Sequence, residues 1–140
     1  MTTRYMLDTN IVSQLLREHP KVLARVLATP MESLCISSIT EGELLFGLAN
    51  NPANLKLKQA VQELLRRVDS IAWDSMAAGK YGEVRADMQK QGKGIGNLDL
   101  LIAAHAIAID AVLVTNDQAM FQVPNVKIED WTSKPVELPH

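Results

Sequence analysis

The sequence predicts a single α/β domain over residues 1–132, built on a central parallel sheet of about 4–5 strands flanked by helices, with a short tail at 133–140. Three observations carry this expectation. Short apolar runs bounded by turn formers, such as Tyr5-Met6-Leu7 and Ala111-Val112-Leu113-Val114-Thr115, have the length and composition of strands buried on both faces. Segments with apolar residues at helical spacing stand between them. The two kinds alternate along the chain, with no internal repeat, low-complexity segment or linker to divide it.

The first strand spans about 4–8, and Ile11-Val12-Ser13-Gln14-Leu15-Leu16-Arg17 continues as a helix. Pro20 takes a first-turn position and opens a second helix, Lys21 to Ala28, which Pro30 closes. Ser33 to Ile36 is the second strand. Ser37-Ser38-Ile39-Thr40 leads into a helix over about 41–49, which Asn50-Asn51-Pro52 breaks, and Pro52 restarts a helix. In that helix Leu57, Val61, Leu64, Leu65 and Val68 share one face. Ile71-Ala72-Trp73 is a third strand, and Asp74 caps a helix whose inner face is Ala77, Tyr81, Val84 and Met88. Gly92, Gly94 and Gly96 form a glycine-rich loop. Asn97 then caps Leu98 to Ile109, which is apolar almost all round and so reads as a buried helix. Ala111 to Thr115 has the composition of a sheet centre and ends at Asn116-Asp117; Val126-Lys127-Ile128 is a weak last strand. The stretch from Thr132 to His140, with two prolines, reads as a surface tail.

Composition narrows the function classes. An apolar fraction of 47% and a charged fraction of 21% exclude a disordered chain, and a single cysteine excludes a disulfide scaffold. Cys35, inside Leu34-Cys35-Ile36, reads as a small core residue in a reducing compartment. No stretch approaches the ~20 apolar residues of a membrane span, and the first residues lack a long apolar segment, so the expected location is the cytoplasm. The net charge of −2 is not that of a broadly basic nucleic-acid binder, so any such contact must come from a local patch.

The chemistry lies in four carboxylates. Asp8 and Asp117 follow the ends of strands, while Glu43 and Asp99 lie in the first turns of helices. In a parallel sheet these places share one edge, the edge where ligands bind. Carboxylates brought together repel, and divalent cations relieve the repulsion. Mg²⁺ and Mn²⁺ prefer oxygen ligands, and no histidine supports the cluster as it would for zinc. Such ions lower the pKa of a bound water and neutralise charge on a phosphate, which is the chemistry of phosphodiester hydrolysis. Each acid also has a structural reading. Asp8 can cap the first helix, Glu43 stands at capping-box spacing from Thr40, Asp99 favours a helix dipole, and Asp117 suits a turn. Asp8 is the hardest to read so, because a buried strand end is a costly place for an unpaired charge.

These residues resemble a known family. Met6-Leu7-Asp8-Thr9-Asn10, Ile39-Thr40-Glu41-Gly42-Glu43-Leu44, the stretch from Ile95 through Asp99 to Ala106, and Val114-Thr115-Asn116-Asp117 look like the motifs of PIN-domain ribonucleases. More narrowly they resemble the VapC toxins of type II toxin–antitoxin modules. The likeness covers roughly residues 4 to 132, and the first and third motifs are its most specific part. It implies a three-layer PIN-like fold, a Mg²⁺ or Mn²⁺ site, and endonucleolytic cleavage of RNA, often tRNA and for the most similar members initiator tRNA. It also implies a homodimer and a VapB antitoxin that blocks the site. Carried over, Asp8 and Asp99 are the principal metal ligands, Glu43 completes the site directly or through water, and Asp117 matches the most variable acidic position. Thr115 matches a small hydroxyl position that orients a water, and Asn10 is a further supporting residue of the first motif.

Other residues carry less. The glycine loop lacks the pattern of a nucleotide-binding loop and suits a helix C-cap with a tight connection. Lys80, Arg85, Lys90 and Lys93 along one helix and its exit, and Lys56, Lys58, Arg66 and Arg67 on another, read as solvated faces unless one borders the acids; Arg85 and Lys93 are the candidates for substrate or partner contact. An aromatic fraction of 4% leaves little for base stacking. His105 reads as a core histidine bonded to a neighbour, Ser37 and Ser38 lack an obvious histidine base, and Trp73 and Trp131 pack at sheet edges. Two rivals remain at this point. An aspartyl-phosphate phosphatase or receiver-like enzyme needs a second acid where Asn10 stands and a lysine after the strand ending at Thr115. A non-catalytic module that only binds an antitoxin would not need the acidic quartet.

Overall fold

In the computed structural model, which describes residues 2–133, five short strands form one sheet in the order β3-β2-β1-β4-β5. The elements are β1 (Tyr5–Leu7), α1 (Thr9–Leu16), α2 (Pro20–Ala28), β2 (Leu34–Ser37), α3 (Ser38–Asn50), α4 (Leu55–Arg67), β3 (Asp69–Ile71), α5 (Ser75–Lys90), α6 (Asn97–Ala108), β4 (Val112–Val114) and β5 (Lys127–Glu129). Every pairing is parallel. Strand order runs outward from β1 to β3, then reverses, and β4 takes the opposite side of β1. The reversal point lies between β1 and β4, where open α/β sheets hold their ligands.

The strands alternate which face each side chain serves. Leu7, Ile36 and Val114 point to one face, under α1, α2 and α4; Met6, Cys35 and Leu113 point to the other, under α5 and α6. Both layers are apolar and buried, which makes β1 a strand covered on both sides. Burial pushes the Cys35 thiol up to about 11, so it is an unreactive core residue as expected. No helix among the described residues is long and apolar enough to cross a membrane. The expected tail at 133–140, apart from Ser133, lies outside the described residues.

Several boundaries differ from the sequence reading for identifiable reasons. The third strand is Asp69–Ile71, two residues before the expected Ile71-Ala72-Trp73, because an edge strand buries little and need not be apolar. Trp73 instead sits just beyond it, its indole N–H donating to the Leu101 carbonyl at 3.0 Å. Pro52 does not restart a helix; α4 begins at Leu55, where Asn54 caps it by accepting the Leu57 N–H at 3.0 Å. Helix α3 begins at Ser38 with Ser37 as its cap, so Thr40 and Glu43 lie inside the helix and form no capping box. Asn97 is the first residue of α6 rather than its cap, which is Gly96. The glycine loop begins as a helix C-cap: Gly92 has φ +70°, its N–H reaches the Gln89 carbonyl at 3.1 Å and the Lys93 N–H reaches Met88 at 2.9 Å.

Beside the edge strand β5, Trp131 is fully buried, with its ring centroid 5.4 Å from that of Tyr5 and the Arg25 guanidinium 5.2 Å over its ring. Glu129 Oε1 accepts from both the indole N–H and Arg25, each at 2.9 Å. Trp131→Ala should therefore destabilise the fold by about 3–5 kcal/mol, read as a lower midpoint in urea unfolding. An unchanged midpoint would show that the anchor is dispensable.

Candidate functional site

Asp8 ends β1 and caps α1. The residue is 2% exposed, with Oδ1 accepting the Thr9 N–H at 2.8 Å and Oδ2 accepting the Thr115 hydroxyl at 2.8 Å. Register explains the second bond: Leu7 pairs with Val114, so the residues after each strand, Asp8 and Thr115, stand side by side. Thr115 Oγ1 also accepts the Asp117 N–H at 3.1 Å, and Asp117 Oδ1 accepts the Ala119 N–H at 3.0 Å, capping the short 3₁₀ turn Gln118–Gln122. Glu43 reaches in from α3, its Oε1 2.9 Å from Thr9 Oγ1, which in turn lies 3.1 Å from Thr40 Oγ1. With one hydrogen to give, Thr9 donates to the carboxylate and accepts from Thr40.

Asp99 stands in the first turn of α6, half-buried, with the carboxyls of Asp8, Asp117 and Glu43 near enough to act on its charge. Burial foremost, then the charge of Asp8, then Asp117 and Glu43, push its pKa up to about 6. Asp8 is raised as well, chiefly by burial, against the lowering effect of the Thr115 and Thr9 bonds. The structure thus brings Asp8, Glu43, Asp99 and Asp117 within electrostatic reach of one another. No ion pair neutralises any of them among the described residues. Among the described residues no three acidic, histidine or cysteine side chains stand close enough together to hold a metal ion as they are. The site is an open cluster of hard oxygen donors, a donor set that suits Mg²⁺ or Mn²⁺ and not zinc or copper.

The structural readings and the functional ones turn out to be compatible: Asp8 and Asp117 are caps and members of the cluster at once. Thr9 and Thr40 are participants that the sequence reading passed over. Thr9 lies inside the Leu7-Asp8-Thr9-Asn10 motif, but nothing local signals that its hydroxyl meets α3. Asn10, expected to support the site, is exposed on α1 and makes no described side-chain bond to the acids. Arg85 and Lys93 are not in the cluster either. With Gln89, Asn97 and Leu100 they line a pocket of about 150 Å³ at the α5–α6 turn, and Arg85 Nη1 donates to the Tyr81 hydroxyl at 2.9 Å. Asp99 projects from another face of α6.

His105 is the expected core histidine, fully buried and held neutral by that burial. Its partner corrects one expectation: Ser37, read as lacking a histidine base, has His105 Nδ1 2.8 Å from its Oγ. The pair is not a nucleophilic dyad. Both residues are sealed from solvent, and Ser37 Oγ already accepts the Ile39 N–H at 3.1 Å.

The raised Asp99 pKa has a sign that can be tested. Its carboxyl binds a proton more tightly when folded (pKa about 6) than an ordinary aspartate does (3.8), so folding stability is lost as pH rises through that window. In metal-free protein, Asp99→Asn should raise the melting temperature at pH 7 and flatten its decline between pH 4 and 6. An equal pH slope in both proteins would show that burial and the neighbouring acids do not perturb Asp99.

Comparison with known proteins places the chain. The PIN domain family matches residues 5–126. Ribonuclease VapC1 of Haemophilus influenzae (strain R2866) is 35% identical over 131 residues, spanning 91% of this chain and 98% of that one. The tRNA(fMet)-specific endonuclease VapC of Shigella flexneri is 30% identical over 130 residues, spanning 92% and 98%. The crystal structure of DNA-bound VapBC from Salmonella typhimurium superposes with a TM-score of 0.86 at 31% identity, covering 93% of this chain and 99% of that one. With its parallel five-stranded sheet, helices on both faces and acidic residues at the carboxyl edge, the chain belongs to the PIN-domain family.

Proposed function

We propose that this protein is a Mg²⁺- or Mn²⁺-dependent endoribonuclease and the toxin of a toxin–antitoxin pair, with residues 1–132 as its catalytic unit. The observation that carries the reading is the convergence of four carboxylates, without a counter-charge among the described residues, at the β1/β4 reversal point. Asp8 and Asp99 are the principal ligands, Glu43 completes the set, and Asp117 is the fourth acid. When bound, the ion acidifies a water and neutralises charge on the scissile phosphate. The protein's own part is orientation. Thr115 and the Thr9 N–H fix both oxygens of Asp8, while Thr9 and Thr40 hold Glu43.

The substrate proposed is tRNA, and initiator tRNA in particular, since the Shigella relative is named for cleaving tRNA(fMet). A VapB-type antitoxin is the proposed partner, as the Salmonella structure is of a VapBC complex, and a homodimer the proposed assembly. The cytoplasm is the proposed location. Arg85 and Lys93 carry no described ion pair and are the proposed contacts to RNA or partner, gripping backbone charge that the protein's net charge of −2 does not attract. The phosphatase rival loses ground because no cation pairs with Asp8 among the described residues.

Cleavage sites should be mapped on total RNA with purified protein. Cutting should stop with EDTA and return with Mn²⁺, and Asp8→Ala or Asp99→Ala should slow it on the order of 100-fold or more while the far-UV spectrum stays native. Asp8→Ala cutting as fast as wild type would refute the nuclease reading. Thr115→Val removes both the donor to Asp8 Oδ2 and the acceptor of the Asp117 N–H, so it should lower Mn²⁺ affinity by roughly 10–100-fold in calorimetry. Unaltered affinity would mean that Thr115 does not orient the ligand.

A further inference from the structure

The two helices that bring Glu43 and Asp99 to the acidic cluster, α3 and α6, are joined by two polar bridges that start from adjacent residues. Ser37 caps α3 through the Ile39 N–H and bonds His105 of α6 at 2.8 Å. Ser38, the first residue of α3, accepts the Trp73 backbone N–H at 3.1 Å, while the indole N–H of Trp73 donates to the Leu101 carbonyl of α6 at 3.0 Å. Ser37 lies six residues before Glu43 and His105 six residues after Asp99, so that bridge acts on both carboxylates through about 9 Å of rigid helix, while the Trp73 bridge attaches closer, at Ser38 and Leu101. Apart from these two bridges, no side-chain hydrogen bond among those described links the start of α3 to α6.

His105 is an odd choice if the position only fills space. Its Nε2 is buried without a partner, and a buried donor or acceptor left unmade costs free energy that an aliphatic side chain would not incur. The bond bookkeeping also selects a tautomer. If Ser37 gives its hydroxyl hydrogen to Nδ1, only the Nε2 proton is unmet, whereas the opposite tautomer would leave both Nε2 and the Ser37 hydroxyl hydrogen without a described partner. A directional bond tolerated at that cost specifies placement better than apolar contact, which is non-directional.

We infer that Ser37 with His105 and Ser38 with Trp73 form a clamp that sets the spacing of the helices carrying Glu43 and Asp99, making His105 and Trp73 positioning residues for the metal site. The inference rests on the nuclease reading for its purpose, though not for its existence. His105→Leu breaks the inner bridge and removes the orphaned Nε2; His105→Asn keeps a polar atom near the Nδ1 position. Trp73→Phe keeps the ring against Tyr81, 6.1 Å away between centroids, and removes the indole donor.

The test is hydrogen exchange of the metal-free proteins together with Mn²⁺ calorimetry. In His105→Leu and Trp73→Phe the amides of residues 39–42 and 100–104 should exchange about tenfold faster while those of β1 and β4 stay protected. Mn²⁺ affinity should fall about tenfold, and His105→Asn should restore most of it. A purely structural histidine would instead lower the melting temperature and leave exchange local to residue 105 and Mn²⁺ affinity unchanged. Wild-type exchange at both helix starts in Trp73→Phe and His105→Leu would overturn the clamp, whatever the metal data. If wild-type protein neither binds Mn²⁺ nor cuts RNA, the functional reading falls and exchange alone decides the clamp.

Discussion

Burying the carboxylate of Asp8 at the end of the central strand is the constraint to which the neighbouring elements answer. A charge there is shielded from water by β2 and β4 on either side and by helices above and below. Such burial is tolerated only if both oxygens find donors. One is the first amide of α1, which exists because the helix starts at once after the strand. The other is Thr115, which arrives because β4 pairs with β1 in a register that sets the two strand ends level. The strand order, the immediate strand-to-helix turn and the hydroxyl at position 115 therefore belong to one solution.

Having met the hydrogen-bonding needs of Asp8, the fold does nothing to offset its charge. It adds three more carboxylates, and burial first, then the charge of Asp8 and its neighbours, raises the pKa of Asp99. A domain selected for stability alone would place an arginine or an amide in that cluster. Strain of this kind persists at sites that bind what relieves it, and the surrounding framework, from the two apolar layers to the Trp131 anchor, holds the acids where they repel. The polar bridges between α3 and α6 serve the same end, because carboxylates that repel stay together only if the helices bearing them cannot drift apart.

Much of this was legible from the residues in order. Asp8 and Asp117 stood out because an apolar run that ends in an acid is a local pattern, and Asp99 because it opens a helix with hardly a polar face. Boundaries failed where tertiary contacts outweighed local ones. The edge strand Asp69–Ile71 forms by pairing with Cys35–Ser37 and has no apolar run of its own. Pro52 resembles a helix start, yet Asn54 has the side chain that caps. Asn10 shares a motif with Asp8 but, two residues into α1, faces solvent. Ser37 gave no sign of a histidine because the histidine is 68 residues away.

What the sequence determined by itself is the set of acids at strand ends and helix starts, and the alternation that makes the sheet parallel. Those are properties of short windows, governed by the periods of helix and strand. The tertiary structure decided which groups meet. Thr115 reaches Asp8 across 107 residues and Thr9 reaches Glu43 across 34. Such meetings follow from strand order, and strand order follows from how helices pack on two faces of a sheet, a free-energy balance over the whole domain that no single stretch contains.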